Sequence, residues 1–203
     1  MSYAHQGSQH ILDCPCPLNS DLDFSKNNLI KSSIEEIYYS SSEIRNTTID
    51  TNSTDKSEVQ YVRTPQQLLY LCLNSYLEDE YQDDILIGDI FVFSRNLSTH
   101  FDNPNALMGI KMILGETKNF KSNNDDSYIR FIVPSEGKEI IAKVYMTEDQ
   151  MNAVKKYILE TYNNKFGGHS IAVFGDWSIS RERNAQIECR LNTDKNLIYR
   201  FDQ

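Results

Sequence analysis

The sequence predicts an α+β domain, a mostly antiparallel sheet with two principal helices, preceded by a polar N-terminal arm. Three observations carry this reading. Two helix-start signatures each lead into apolar residues at helical spacing, runs of strand-forming residues alternate with turn-formers, and no apolar periodicity precedes Val62. A chain of 203 residues suits one domain plus an arm, with 1–62 as the loosely structured arm and 63–203 as the globular body.

From Asn19 to Gln60 the chain is rich in Ser, Asn, Thr and Asp, as in Ser40-Ser41-Ser42-Glu43 and Asn46-Thr47-Thr48. Such side chains hydrogen-bond their own backbone and compete with regular structure. Within the arm, Leu29-Ile30 and Ile34 to Tyr39 carry the apolar weight, enough for one short helix.

The body opens at Thr64-Pro65-Gln66-Gln67, with Thr as N-cap, Pro at the first helical position and Gln completing a capping box. Leu68, Leu69, Cys72 and Tyr76 follow at helical spacing. The continuous run from Ile85 to Phe93 reads as a strand buried on both faces, and Ala106 to Leu114 as a second strand. Tyr128 to Val133 and Glu139 to Tyr145 flank Pro134-Ser135-Glu136-Gly137, which suggests a hairpin. A second capping box at Thr147-Glu148-Asp149-Gln150 starts a helix whose stripe is Met151, Val154, Ile158, Leu159 and Tyr162. Ile171 to Phe174 is a short strand. Ala185, Ile187, Cys189 and Leu191 alternate with polar residues, and a turn then leads to Leu197–Phe201.

Charge narrows the partners. With 20 basic and 29 acidic residues the net charge is −9, which argues against nucleic acid and against a cationic membrane binder. No apolar run reaches the ~20 residues of a membrane-spanning helix, so no membrane insertion is expected. The opening Met1-Ser2-Tyr3-Ala4-His5-Gln6 lacks the apolar core of a signal peptide. Four cysteines are too few for a disulfide scaffold and point to a reducing compartment, hence a cytoplasmic location. The alternative is secretion into a host cell as an effector without a cleaved signal peptide, since the Ser/Asn/Thr-rich arm has the composition of an effector's secretion segment.

Candidate chemistry is sparse. His5, His10, Cys14 and Cys16 supply a zinc-type ligand set, but one residue separates the cysteines where structural sites use two to four. No metal or cofactor is therefore expected. A cysteine nucleophile needs an imidazole and an orienting group. His169 precedes the strand Ser170–Phe174 and Asp176 follows it, a short stretch that resembles the His-bearing strand of papain-like hydrolases. Gly88 to Phe93 with His100 beyond resembles cell-wall amidase domains. The available thiols, Cys72 and Cys189, both fall on apolar stripes, where a cysteine acts as a small hydrophobe. Walker, Gly-x-Gly-x-x-Gly, Gly-x-Ser-x-Gly and His-Glu-x-x-His motifs are absent.

The acidic run Glu78, Asp79, Glu80, Asp83 and Asp84 falls at the expected C-terminal end of the first helix, where the helix dipole disfavours it. A basic protein partner or a divalent cation would explain that placement. Of twelve tyrosines, Tyr38, Tyr39, Tyr61 and Tyr81 lie in polar segments, which suits either an exposed contact surface or, more often, the sealing of a core edge with the hydroxyl in water. The function these features favour is a non-enzymatic interaction module: a regulator, inhibitor or effector binding a basic protein partner through the acidic run. The alternative is a cysteine-dependent hydrolase of papain-like type using His169 with Cys72 or Cys189 and Asp176. The oligomeric state is not legible.

Overall fold

The computed structural model describes residues 29–40, 60–101, 103–121, 127–135, 138–161, 168–182, 185–193 and 196–199. In chain order, the first elements are strand β1 (Leu29–Lys31), helix α1 (Ile34–Ser40), β2 (Gln60–Val62), α2 (Pro65–Asn74), β3 (Glu80–Gln82) and β4 (Ile85–Leu86). Short turns of helix α3 (Ile87–Ile90) and α4 (Leu97–Phe101) flank β5 (Phe91–Val92), and a 3₁₀ turn spans Pro104–Leu107. The remainder is β6 (Gly109–Lys121), β7 (Ser127–Ser135), β8 (Lys138–Met146), α5 (Glu148–Thr161), β9 (Ser170–Ile179), β10 (Ile187–Arg190) and β11 (Leu197–Tyr199).

Both N-caps form, the reciprocal capping box being complete at Thr147 and shifted by one residue at Thr64. Thr64 Oγ1 accepts from the Gln67 amide at 3.2 Å, and Gln67 Oε1 accepts from the Arg63 amide. At α5, Thr147 Oγ1 accepts from the Gln150 amide at 3.2 Å while the Gln150 side chain reaches back to the Thr147 amide.

The expected α+β class is corrected by the strand pairing. β6 runs antiparallel to β7, β7 antiparallel to β8, β8 parallel to β10, and β10 antiparallel to β9. β9 then returns to pair antiparallel with β6 over eight register positions, from Gly109↔Trp177 to Glu116↔Ser170. The sheet therefore closes into a five-stranded barrel. It closes because β6 is long enough to change partner, pairing β9 along its first part and β7 along its second. With α5 between the third and fourth barrel strands, this is the connectivity of an oligonucleotide/oligosaccharide-binding (OB-like) barrel. The helices do not cover one face of an open sheet. Met151 and Val154 of α5 instead join the barrel's interior cluster with Phe131, Val144, Trp177 and Cys189; Ile158, Leu159 and Tyr162 lie outside the residues whose side chains are described.

A second core lies outside the barrel. Met112, Ala172 and Phe174 point away from the interior and pack against Ile34, Ile37 and Tyr38 of α1, Val62 of β2, Leu68 and Leu69 of α2, and Ile87 of α3. Ile171 through Phe174 are consequently all fully buried, which is why that segment is apolar without alternation. The Ile85–Phe93 run is a different case. It is not one strand but β4, α3 and β5 in succession, turned by Asp89, whose carboxylate accepts from the Leu86 amide at 3.1 Å. Among the described residues no helix is long and apolar enough to cross a membrane.

Candidate ligand-binding face

Alternation along the barrel strands decides what faces outward. Ile129, Phe131 and Val133 of β7 and Ala142, Val144 and Met146 of β8 fill the interior. Tyr128, Arg130, Lys143 and Tyr145 therefore stand on the outer side of the same two strands. Register then aligns them. Lys121 of β6 pairs with Tyr128, Tyr128 with Tyr145, and Tyr145 with Arg190 of β10, giving one cross-strand row over four strands. The neighbouring row runs Arg130, Lys143, Glu188.

The rings of Tyr128 and Tyr145 meet edge to face, with centroids 5.9 Å apart. Cations surround them: Lys143 Nζ lies 4.4 Å from the Tyr128 centroid, Lys121 Nζ 5.9 Å from the same ring, and Arg190 Cζ 5.7 Å from the Tyr145 ring. Each distance is within cation–π range.

Lys143 has a side chain only 2% exposed, and a buried ammonium is tolerated only when paired. Its partner is Glu182, on the connection between β9 and β10, to whose carboxylate Lys143 Nζ donates. Tyr145 Oη donates to the other oxygen of the same carboxylate at 2.6 Å. Hydrogen bonds from Lys143 first, then Tyr145, hold the Glu182 carboxyl below its ordinary pKa. The connection is anchored separately: Gln186 exchanges two hydrogen bonds with the backbone of Ile141, at 2.7 and 2.8 Å, and Ser180 Oγ accepts from the Glu182 amide at 3.1 Å. The face thus offers two aromatic platforms and four cations, with the Glu182 carboxylate held by Lys143 and Tyr145 and Glu188 in the neighbouring row.

The residues singled out by sequence are scattered. Cys72 lies buried in α2, and burial pushes its thiol pKa far up. Cys189 faces the barrel interior, and burial, then Asp176 and Glu188, raise its thiol well above the ordinary value. A methyl on Gly175 would touch Cys189 Sγ at 2.8 Å, which places that thiol level with Gly175 of β9. His169 stands just before the other end of that strand, six extended residues away, or roughly 20 Å at ~3.3 Å per residue. Its amide donates to Thr117 Oγ1, and Asp176 is exposed. The structure does not bring the Cys189 thiol and the His169 imidazole together.

The acidic run is not a helix end. α2 stops at Asn74, and Glu80, Asp83 and Asp84 belong to the β3–β4 hairpin, with Asp83 and Asp84 at φ of 49° and 67°. Asp79 accepts from the Tyr76 amide, and Lys31 donates to the Glu80 carbonyl. Glu78 is exposed beside them. His5, His10, Cys14 and Cys16 lie outside the described residues. Of the tyrosines in polar segments, Tyr39 is exposed, whereas Tyr38 and Tyr81 are buried, Tyr81 Oη donating to the Ser32 carbonyl. The side chain of Tyr61 lies outside the described set.

Sequence reading passed over the tyrosine row. Its signal was present in the outward positions of the hairpin, where Tyr128, Arg130, Lys143 and Tyr145 alternate with the apolar residues that define the strands.

No family model and no curated protein matches the chain. Among solved structures, a chain of the S. pombe Stn1–Ten1 complex is similar at 12% identity and a TM-score of 0.32, over 47% of this chain and 60% of that one. A Leishmania major Friedlin protein assigned as an aspartyl-tRNA synthetase is similar at 9% identity and a TM-score of 0.34, over 60% of this chain and 22% of that one. This chain thus spans less than two thirds of either.

The exclusion of nucleic acid on net charge is corrected here. A net −9 describes the whole chain, but Lys121, Arg130, Lys143 and Arg190 are gathered on one face. Association responds to local potential more than to the total.

Proposed function

We propose that the chain is a binding module whose barrel takes single-stranded nucleic acid on the outer face of β7, β8 and β10. The cross-strand row Lys121–Tyr128–Tyr145–Arg190 carries this reading. Bases stack on the two tyrosine rings, a sequence-tolerant interaction because every base has a π face. The backbone follows Lys121, Arg130, Lys143 and Arg190. Three cations around two rings, with Arg130 in the neighbouring row, favour a polyanion over a neutral oligosaccharide, the other ligand class of such barrels. No nucleophile and base are assembled on the face, so the role is binding rather than turnover. A second reading, a basic protein docking on the exposed carboxylates of the β3–β4 hairpin, has no comparable geometric support.

The test is fluorescence anisotropy of fluorescein-labelled oligo-dT and oligo-rU titrated with the full chain. Saturable binding is expected, with log K falling as log salt rises. Tyr128→Ala and Tyr145→Ala should each weaken it by roughly 5- to 150-fold, from the ~1–3 kcal/mol of one stacked base. Absence of saturable binding at about 50 mM salt by any of these oligonucleotides would remove the reading.

A further inference from the structure

We propose that Glu182 is a built-in stand-in for a ligand phosphate, so that the face competes with itself for its own anion. The inference rests on the binding reading above and names how that site is regulated. Two observations carry it. Lys143 is buried to 2% side-chain exposure and must hold a counter-charge in the unliganded chain. The carboxylate that supplies it comes from a loop, takes Lys143 Nζ on one oxygen and Tyr145 Oη on the other, and leaves its own side chain 41% exposed. A carboxylate held by one ammonium and one phenol presents the same acceptor pair as two oxygens of a phosphodiester.

Exchange needs little rearrangement. The loop is pinned through Gln186 to Ile141 and through the Ser180 amide to the Gln186 carbonyl, neither of which involves the Glu182 carboxylate. The side chain can therefore leave Lys143 while the loop remains attached. An incoming phosphate oxygen then accepts from Lys143 Nζ and Tyr145 Oη, and the released carboxylate hydrates.

Affinity in the wild type is thus reduced by the strength of the internal contact, and ligands without a phosphate should fail to displace it. Glu182→Ala removes the competitor, and Glu182→Gln keeps the side chain's shape and one acceptor oxygen while removing the charge and turning the other acceptor into an NH2 donor. Both are expected to bind fluorescein-labelled oligo-dT more tightly than wild type, Glu182→Ala by roughly tenfold, as for one charged hydrogen-bonded contact. In a Lys143→Met background the Glu182→Ala change should give no gain.

The outcomes separate the two readings. If neither wild type nor either variant binds the oligonucleotide, the binding function itself fails. If wild type binds and both variants bind equally or more weakly, the stand-in role fails while the binding function survives. A gain that persists undiminished in the Lys143→Met background also overturns the stand-in role. Wild-type binding that both Glu182 variants tighten, with no gain for Glu182→Ala in the Lys143→Met background, supports both. Should Glu182→Ala lose its cooperative melt, the Glu182→Gln affinity decides the matter.

Discussion

A methyl group on Gly115 would stand 2.4 Å from the carbonyl oxygen of Ile132 and 2.7 Å from a Phe131 ring carbon. This is the point where β6 changes partner: Gly115 pairs with Ile171 of β9, and Glu116, the next residue, pairs with Ile132 of β7. Barrel closure brings backbone onto backbone there, and only a residue without a Cβ fits. Gly115→Ala should cost about 2–3 kcal/mol, the upper range for overpacking, because a carbonyl cannot swing aside as a side chain can. Gly175 is a gentler case, since its nearest neighbour is the Cys189 Sγ at 2.8 Å. Gly175→Ala should cost less, and Cys189→Ala should partly restore the double variant. Urea melts of the four proteins check this; a wild-type midpoint for Gly115→Ala would show that β6 does not turn tightly.

His100 gives a pH dependence with a definite sign. It is buried on α4, its Nε2 has no hydrogen-bond partner among the described residues, and burial, then the Lys111 ammonium, lower its pKa below 6.5, with Asp89 opposing. Below about pH 6.5 the unfolded chain binds a proton that the folded chain refuses. Stability is then complete above that range and falls as pH drops, until the folded imidazole itself titrates. Replacing His100 by Gln should flatten the stability profile between about pH 7 and the folded pKa. Equal slopes for wild type and His100→Gln in that window would show that the imidazole is solvated.

The segment before Val62 contributes core. Ile37 is fully buried, the Tyr38 ring packs edge to face on Phe174 at 5.6 Å, and Asn192 Nδ2 donates to the Tyr38 carbonyl. Ile37→Ala should therefore cost about 2–4 kcal/mol, the usual loss for a truncated core aliphatic. A chain beginning near Gln60 should melt at lower temperature than full length. A truncated chain with an unchanged melt, and an Ile37→Ala variant within about 0.5 kcal/mol of wild type, would place α1 outside the cooperative unit.

Local signals in the sequence translated well and non-local ones did not. Thr64 with Gln67 and Thr147 with Gln150 start helices because a cap is decided within four residues. Ala185, Ile187, Cys189 and Leu191 are all buried as their alternation required. Barrel closure was hidden, since it depends on β10 lying parallel to β8 across an intervening helix, a pairing no local pattern encodes. The apolar weight of Ile85–Phe93 reflects burial of Ile87, Ile90, Phe91 and Val92 against two cores, and burial alone does not distinguish strand from helix. The candidate site was least legible. Lys121, Tyr128, Tyr145 and Arg190 become neighbours only through three separate strand registers, while the acidic run, contiguous in sequence, stood out at once.

That acidic run has a local explanation which can be measured. Asp83 and Asp84 link β3 to β4 as two consecutive residues with positive φ, 49° and 67°, as a type I′ hairpin turn requires at both central positions. Asp enters the left-handed region more readily than most residues, but Asn and Gly enter it at still lower cost. Each carboxylate also adds to the negative charge of Glu78, Asp79 and Glu80 nearby in sequence. Asp83→Asn with Asp84→Gly should therefore stabilise the fold, by about 0.5–1 kcal/mol, from relieved backbone strain and reduced repulsion. The repulsive part should shrink at high salt while the backbone part persists, so urea melts at about 50 mM and 1 M salt separate them. Asp83→Pro supplies the opposite control, because a ring that fixes φ near −65° cannot occupy the turn. If Asp83→Asn with Asp84→Gly destabilised the chain at both salt concentrations, the two carboxylates would be holding contacts that the turn geometry alone does not require.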